Sequence, residues 1–419
     1  MHHKHRSKRL FRLAGGLVCC LLAASTHGAE MNISAVFQPS VLAPQTVQFQ
    51  NTTPLASFCS NFPSNCTGKN FGINFPVRWT YHLEQGGLTD PRKNAYIKVP
   101  NTFRQVQLFN TSTGQASQLR FRVSGIATTY NLSKRAMDIV GESGALGGHL
   151  LLWLGGFWGN PYGTLGRCVS LGSTLFSDKW ATAVWGVPEN AGYCYKRSEF
   201  SIPAPGLVIS DPGLMYELET PNPLELSNGE YRGSLEYHIG PGQDFDFGDN
   251  ATVDTSSIKI NFSLRVAHEL KVNYPENAHR VLLEPAGGWA VWLQQGRDPG
   301  PLQRDIPFTV TSSGSFSVKL DCQYKAGSHC GIANDRQQVV PVSTALSMEG
   351  LRVKNSNQDA ANIPLRNDSA VVFATRAASA TRRSRLHFTV AAPDVSAMAK
   401  QSGDRFLGAV TLVFDAGVI

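Results

Sequence analysis

Apolar and polar positions alternate with period two along much of this chain. "QLRFRVSGI", "YRGSLEYHI", "SIKINFSLRV", "FSVKLDCQY", "RLHFTVAA" and "GAVTLVF" are short runs rich in Val, Ile, Phe and Thr. Turn-forming clusters such as "NTSTG", "GPGQD" and "TSSGS" separate them. Alternation places every second side chain on one face of a strand, and short strands at regular spacing predict an all-β fold of sandwiches. Helical periodicity is scarce.

Two of these runs share a finer pattern. Phe406, Gly408, Val410, Leu412 and Phe414 fall on one face of "RFLGAVTLVFDAGVI". Tyr231, Gly233, Leu235, Tyr237 and Ile239 in "GEYRGSLEYHI" repeat that order of aromatic, glycine and aliphatic residues. Each strand is expected to close a sandwich of its own. Between them lies "GPGQDFDFGDNATVDTSS", a Gly- and Asp-rich link in which a domain boundary is expected near Thr255. That division gives domains 30–254 and 255–419, in keeping with a length beyond one core's usual size. "MNISAVFQPSV" alternates as well and is expected to be the first strand of the first domain.

Residues 1–29 read as a secretory signal: Lys4, Arg6, Lys8, Arg9 and Arg12 precede an apolar run from Leu13 to Ala24, with cleavage expected after Ala29. Its five cations account for most of the formal +7, which leaves the mature chain near neutral and gives no reason to expect nucleic acid as a partner. Eight cysteines then become six. Six permit fifteen pairings, among which proximity suggests Cys59–Cys66, Cys168–Cys194 and Cys322–Cys330 in an oxidising compartment.

Little in the sequence suggests catalysis. There is no GxSxG, HExxH or P-loop motif. Glu217 with Glu219, or Asp244 with Asp246, could serve as a glycosidase pair, but surface carboxylates are common and no enzyme is expected. Asp244, Asp246, Asp249 and Asp254 lack the spacing of a calcium loop, so neither metal nor cofactor is expected. Aromatics are more suggestive. Trp153 and Trp185 stand in apolar runs and are expected in the core. Trp158, Tyr162 and Trp180 are flanked by Gly, Asn or Asp and are candidates for stacking on sugar rings.

Taken in order, "FQNTTPLASFC", "DPRKNAYIKVPNTFR", "VPENAGYC", "YELETPNPL", "YRGSLEYHIGPGQDFDFGD", "LEPAGGWAVWLQQGR" and "FLGAVTLVFDAGVI" make the chain resemble two-domain tip adhesins of bacterial chaperone–usher fimbriae. The resemblance implies a receptor-binding sandwich, with a glycan as the expected receptor, followed by an immunoglobulin-like pilin domain missing one strand. It implies that Phe406, Gly408, Val410, Leu412 and Phe414 form the edge to which a periplasmic chaperone, and later the next fimbrial subunit at the outer-membrane usher, lends a strand. It also implies that the carboxylate of Ile419 is held by the chaperone, and that the protein travels through the periplasm to the fimbrial tip. A structural or initiating tip pilin that binds no ligand is the alternative.

Overall fold

A computed structural model describes residues 1, 28–39, 47–159, 167–171, 174–295, 300–375, 380–401 and 403–416. Most of the expected signal segment, Tyr162 and Ile419 lie outside these residues, whereas the expected cleavage site after Ala29 falls at the start of the first strand.

The fold is all-β, in two sandwich domains. The principal strands of the first are β1 (Ala29–Phe37), β2 (Arg104–Asn110), β3 (Ala116–Asn131), β4 (Trp180–Gly186), β5 (Leu207–Glu219), β6 (Gly229–His238) and β7 (Ser257–Val266). They form one sheet in the order β5-β3-β2-β6-β7-β1, with β4 also on β3. The sheet curls, so alternate residues from all these strands meet in a single core. Strand β1 follows its sequence pattern: Met31, Ile33, Ala35 and Phe37 are buried, and the strand runs parallel to β7.

This placement of β7 corrects the expected boundary. Residues 257–266 lie between β6 and β1, inside the first sheet. The passage to the second domain is at Ala267, His268 and Glu269. Ala267 N–H donates to Phe37 O, His268 Nε2 donates to Leu226 O, and Glu269 N–H donates to Ser313 Oγ. The Gly/Asp-rich stretch reads as a linker by composition, yet Asp246 at its centre is buried and ion-paired to Arg92 at 2.9 Å.

The second domain holds β8 (Leu270–Asn273), β9 (Leu302–Ser312), β10 (Phe316–Cys322), β11 (His329–Ala333), β12 (Val339–Met348), β13 (Val371–Ala374), β14 (Ala380–Val390) and β15 (Val410–Asp415). One layer runs β8-β9-β14-β12-β11 and the other β13-β10-β15. A second core fills the space between them. The disulfides are the three expected from proximity; Cys322–Cys330 ties β10 to β11.

The two patterned strands share a physical cause and differ in their surroundings. A Cβ on Gly233 would collide with the Gln107 carbonyl, and one on Gly408 with the Gly331 carbonyl. Glycine is therefore required where each strand crosses a neighbour's backbone. Strand β6 has partners on both sides, β2 and β7, and its Tyr231 and Tyr237 are fully buried. Strand β15 pairs only with β10 among the described residues.

Candidate functional site

The unpaired side of β15 faces a groove of about 570 Å³. Its apolar floor comes from Ile306, Ile332, Val342, Leu386 and Phe388. Gly408 to Leu412 form one lip, and the segment from Tyr274 to Leu283 lines the other. The backbone of that second lip is left out of the flanking strand pairing. β8 bonds Thr309–Ser312 of β9, and the short strand Glu284–Pro285 bonds Leu302 and Gln303. Neither reaches Arg304–Phe308. Phe406, Val410, Leu412 and Phe414 pack on the core from half-buried positions, whereas the matching tyrosines of β6 are covered. This sandwich leaves part of its apolar face in water. Along the same rim, Leu407 exchanges backbone hydrogen bonds with Ala333 at 2.9 and 2.8 Å.

The aromatic region of the first domain departs from expectation at Trp158. Its ring is fully buried, and its Nε1–H donates to Thr128 Oγ1 at 2.9 Å. Trp153, Trp185 and Tyr130 surround it at centroid distances of 4.8, 5.2 and 5.4 Å. Flanking Gly and Asn suggested a loop tip; the chain instead turns the indole inward. Trp153 and Trp185 are buried, as their apolar flanks imply. A donor relay finishes the polar edge of this cluster: Trp153 Nε1–H donates to the Tyr130 hydroxyl, which donates to His149 Nδ1, whose Nε2–H donates to Ser177 O. Burial lowers the His149 pKa and keeps the imidazole neutral, because charging it would displace the tyrosine proton. Trp180, at the start of β4, is half-buried and can still meet a ligand. A Trp158→Ala variant is expected to lose about 3–5 kcal/mol of stability through the cavity it leaves. Trp180→Ala is expected to stay within about 0.5 kcal/mol of the parent. Denaturant titration separates the two.

The carboxylate pairs are engaged elsewhere. Glu217 pairs with Arg122, Glu219 with Arg120, Asp244 with Arg104, and Asp246 and Asp249 with Arg92. Asp254 accepts the Arg78 N–H. Burial alone would raise the Asp246 pKa, but hydrogen bonds from Arg92, Gly242 N–H and Gly248 N–H outweigh it and leave the group below the ordinary carboxylate value. A glycosidase pair needs one carboxyl that holds a proton near neutral pH. Asp246 is set for the opposite state.

A feature that sequence reasoning missed lies beside this acidic loop. Residues 98–104, Gly192 and residues 242–244 enclose a cleft of about 300 Å³. Tyr193, next to Gly192, is 43% exposed and stacks on Tyr96 at 4.9 Å. The guanidinium of Arg92 covers Tyr96 at 5.1 Å, and that of Arg104 lies 4.7 Å over Tyr237.

No family model matches the chain, and no curated protein matches it. Among solved structures it is similar to CfaE, the adhesive subunit of the CFA/I fimbria of enterotoxigenic Escherichia coli, with 9% identity, 92% of each chain covered and a TM-score of 0.25. It is also similar to a chain of the CsuC–CsuE chaperone–tip adhesion subunit complex from the Csu pili of Acinetobacter baumannii, with 10% identity, 93% of this chain and 98% of that chain covered, and a TM-score of 0.22. For the CupB6 tip adhesin of Pseudomonas aeruginosa the figures are 10%, 82%, 94% and 0.26. Likeness this slight carries no inference about the chain's role; its own geometry does.

Proposed function

We propose that this chain is a fimbrial tip adhesin: the first domain meets a receptor, and the second joins the fimbria by accepting a strand from another polypeptide. The groove beside β15 carries the reading. A strand laid there would pair with the outward edge of Val410–Phe414, and its alternate side chains would cover Val410, Leu412 and Phe414. An exposed apolar edge of this kind invites aggregation unless a partner covers it. A periplasmic chaperone is the partner for transit, and a subunit extension received at the outer-membrane usher is the partner in the fibre. Three disulfides suit the same oxidising route.

Removing every residue after Gly403 deletes β15 and one lip of the groove. Co-purification with the periplasmic chaperone should then fall to background, while the intact chain is recovered as an equimolar complex. Undiminished recovery of chaperone by the truncated chain would end this account. The second reading, a structural tip pilin, shares the groove and differs only in having no receptor.

A further inference from the structure

We infer that the cleft between residues 98–104, Gly192 and residues 242–244 binds a sugar bearing a carboxylate. The inference rests on the adhesin reading and names the receptor's chemistry. Three stretches far apart in sequence build the cleft: "KVPNTFR", "NAGY" and "GPGQD". The extended segment Ala95–Ile97 pairs with Cys194–Lys196, which fixes the first beside the second. Asp246 fixes the third: its carboxylate accepts from Gly242 N–H at 2.7 Å and Gly248 N–H at 2.8 Å, and Lys98 N–H donates to its carbonyl at 2.8 Å. The walls are therefore rigid before any ligand arrives.

The polar groups in the cleft are unevenly satisfied. Asn101 is more than nine-tenths buried, and its Nδ2 donor has no acceptor. A buried donor in that state is destabilising, and a bound acceptor would pair it. The Lys98 ammonium donates to Gln243 O at 2.9 Å and Gly242 O at 3.5 Å, both uncharged. Arg104, by contrast, is neutralised by Asp244. Lys98 thus supplies a cation without a counter-charge, in a cleft lined also by the residue whose amide donor lacks an acceptor. A carboxylate answers both. Thr102 Oγ1 donates to Asn190 Oδ1 at 3.2 Å, and those two groups offer partners for ring hydroxyls. Tyr193 supplies a flat face for the C–H side of a pyranose. The volume matches the small end of ligand sites and holds one sugar ring.

Polymers displaying galacturonate or galactose at equal density differ only at the carboxylate, so binding of each to the full chain in complex with its chaperone is the test. Galacturonate should bind, galactose should bind at least about tenfold more weakly, and the difference should shrink as salt rises. Lys98→Gln should lose about tenfold for galacturonate and leave galactose unchanged. Asn101→Asp, which replaces the unpaired donor by a carboxylate, should lose at least as much. Because Asn101 is buried, the melting temperature of each variant is read alongside, and the half-buried Lys98 position decides if Asn101→Asp fails to fold. Equal binding of the two polymers overturns the inference, as does galacturonate binding undiminished by Lys98→Gln. Either result leaves the groove and chaperone capture standing. Failure of chaperone capture with galacturonate specificity intact would instead remove the fimbrial reading and keep the cleft.

Discussion

A chain with an apolar, alternating strand fused beyond Asp415 through a flexible turn is expected to melt far above the parent. In the parent, Val410, Leu412 and Phe414 are half-buried at a sheet edge, beside a groove with an apolar floor. Covering an exposed aliphatic or aromatic side chain contributes about 1.5–3 kcal/mol, and a net backbone hydrogen bond about 1 kcal/mol. Three core side chains finished from half-burial, the new strand's own side chains and a few ladder bonds together give on the order of 5–10 kcal/mol. For a domain of this size each kcal/mol moves the midpoint by about 2–4 °C, so a rise of some ~15–30 °C is expected. Calorimetry on the fused and parent chains reads it directly. A control fusion with serine at the inward positions should return most of the gain. If apolar and serine fusions melt alike, the second sandwich is already complete and strand donation has no work to do.

The second large effect concerns Asp246. Its side chain is 1% exposed and holds Arg92, Gly242 N–H and Gly248 N–H. Removing one partner of a buried charge pair costs about 3–5 kcal/mol; Arg92 is itself partly exposed, so the lower end is expected for Asp246→Ala. Because the folded-state pKa of this carboxyl lies below its unfolded value, its contribution is fully present above the ordinary carboxylate range. It is lost as pH falls through the folded-state pKa. The parent should therefore lose stability below about pH 4, and the variant should show a flatter acid limb. Urea melts of both proteins from pH 7 to pH 3 give the two curves, and parallel curves would show that Asp246 is not the group responsible. The same substitution frees the loop that walls the carboxylate cleft, so it should weaken galacturonate binding even where the protein remains folded.

Much of the architecture was legible from residue spacing. Period-two alternation locates β1, β6, β7, β10 and β15, because a strand with one buried face must place its apolar side chains at every second position. The three disulfides follow from proximity along the chain, and the shared glycine marks the crossings at Gly233 and Gly408. Local signals failed where neighbours decided the outcome. Trp158 is flanked like a loop residue, yet Thr128 satisfies its indole and two other tryptophans enclose it. The link around Asp246 has a linker's composition, yet Arg92, more than 150 positions away, holds it in place.

The sequence by itself determined which segments are strands, which face of each is apolar and which cysteines lie close enough to join, since these depend on residues a few positions apart. Only the tertiary structure decided that β6 is covered on both sides while β15 is open on one, that residues 257–266 belong to the first sheet, and that Lys98, Asn101 and Gly192 share a cleft. Those outcomes are set by which distant strands and loops meet, and burial and charge compensation depend on all the neighbours at once.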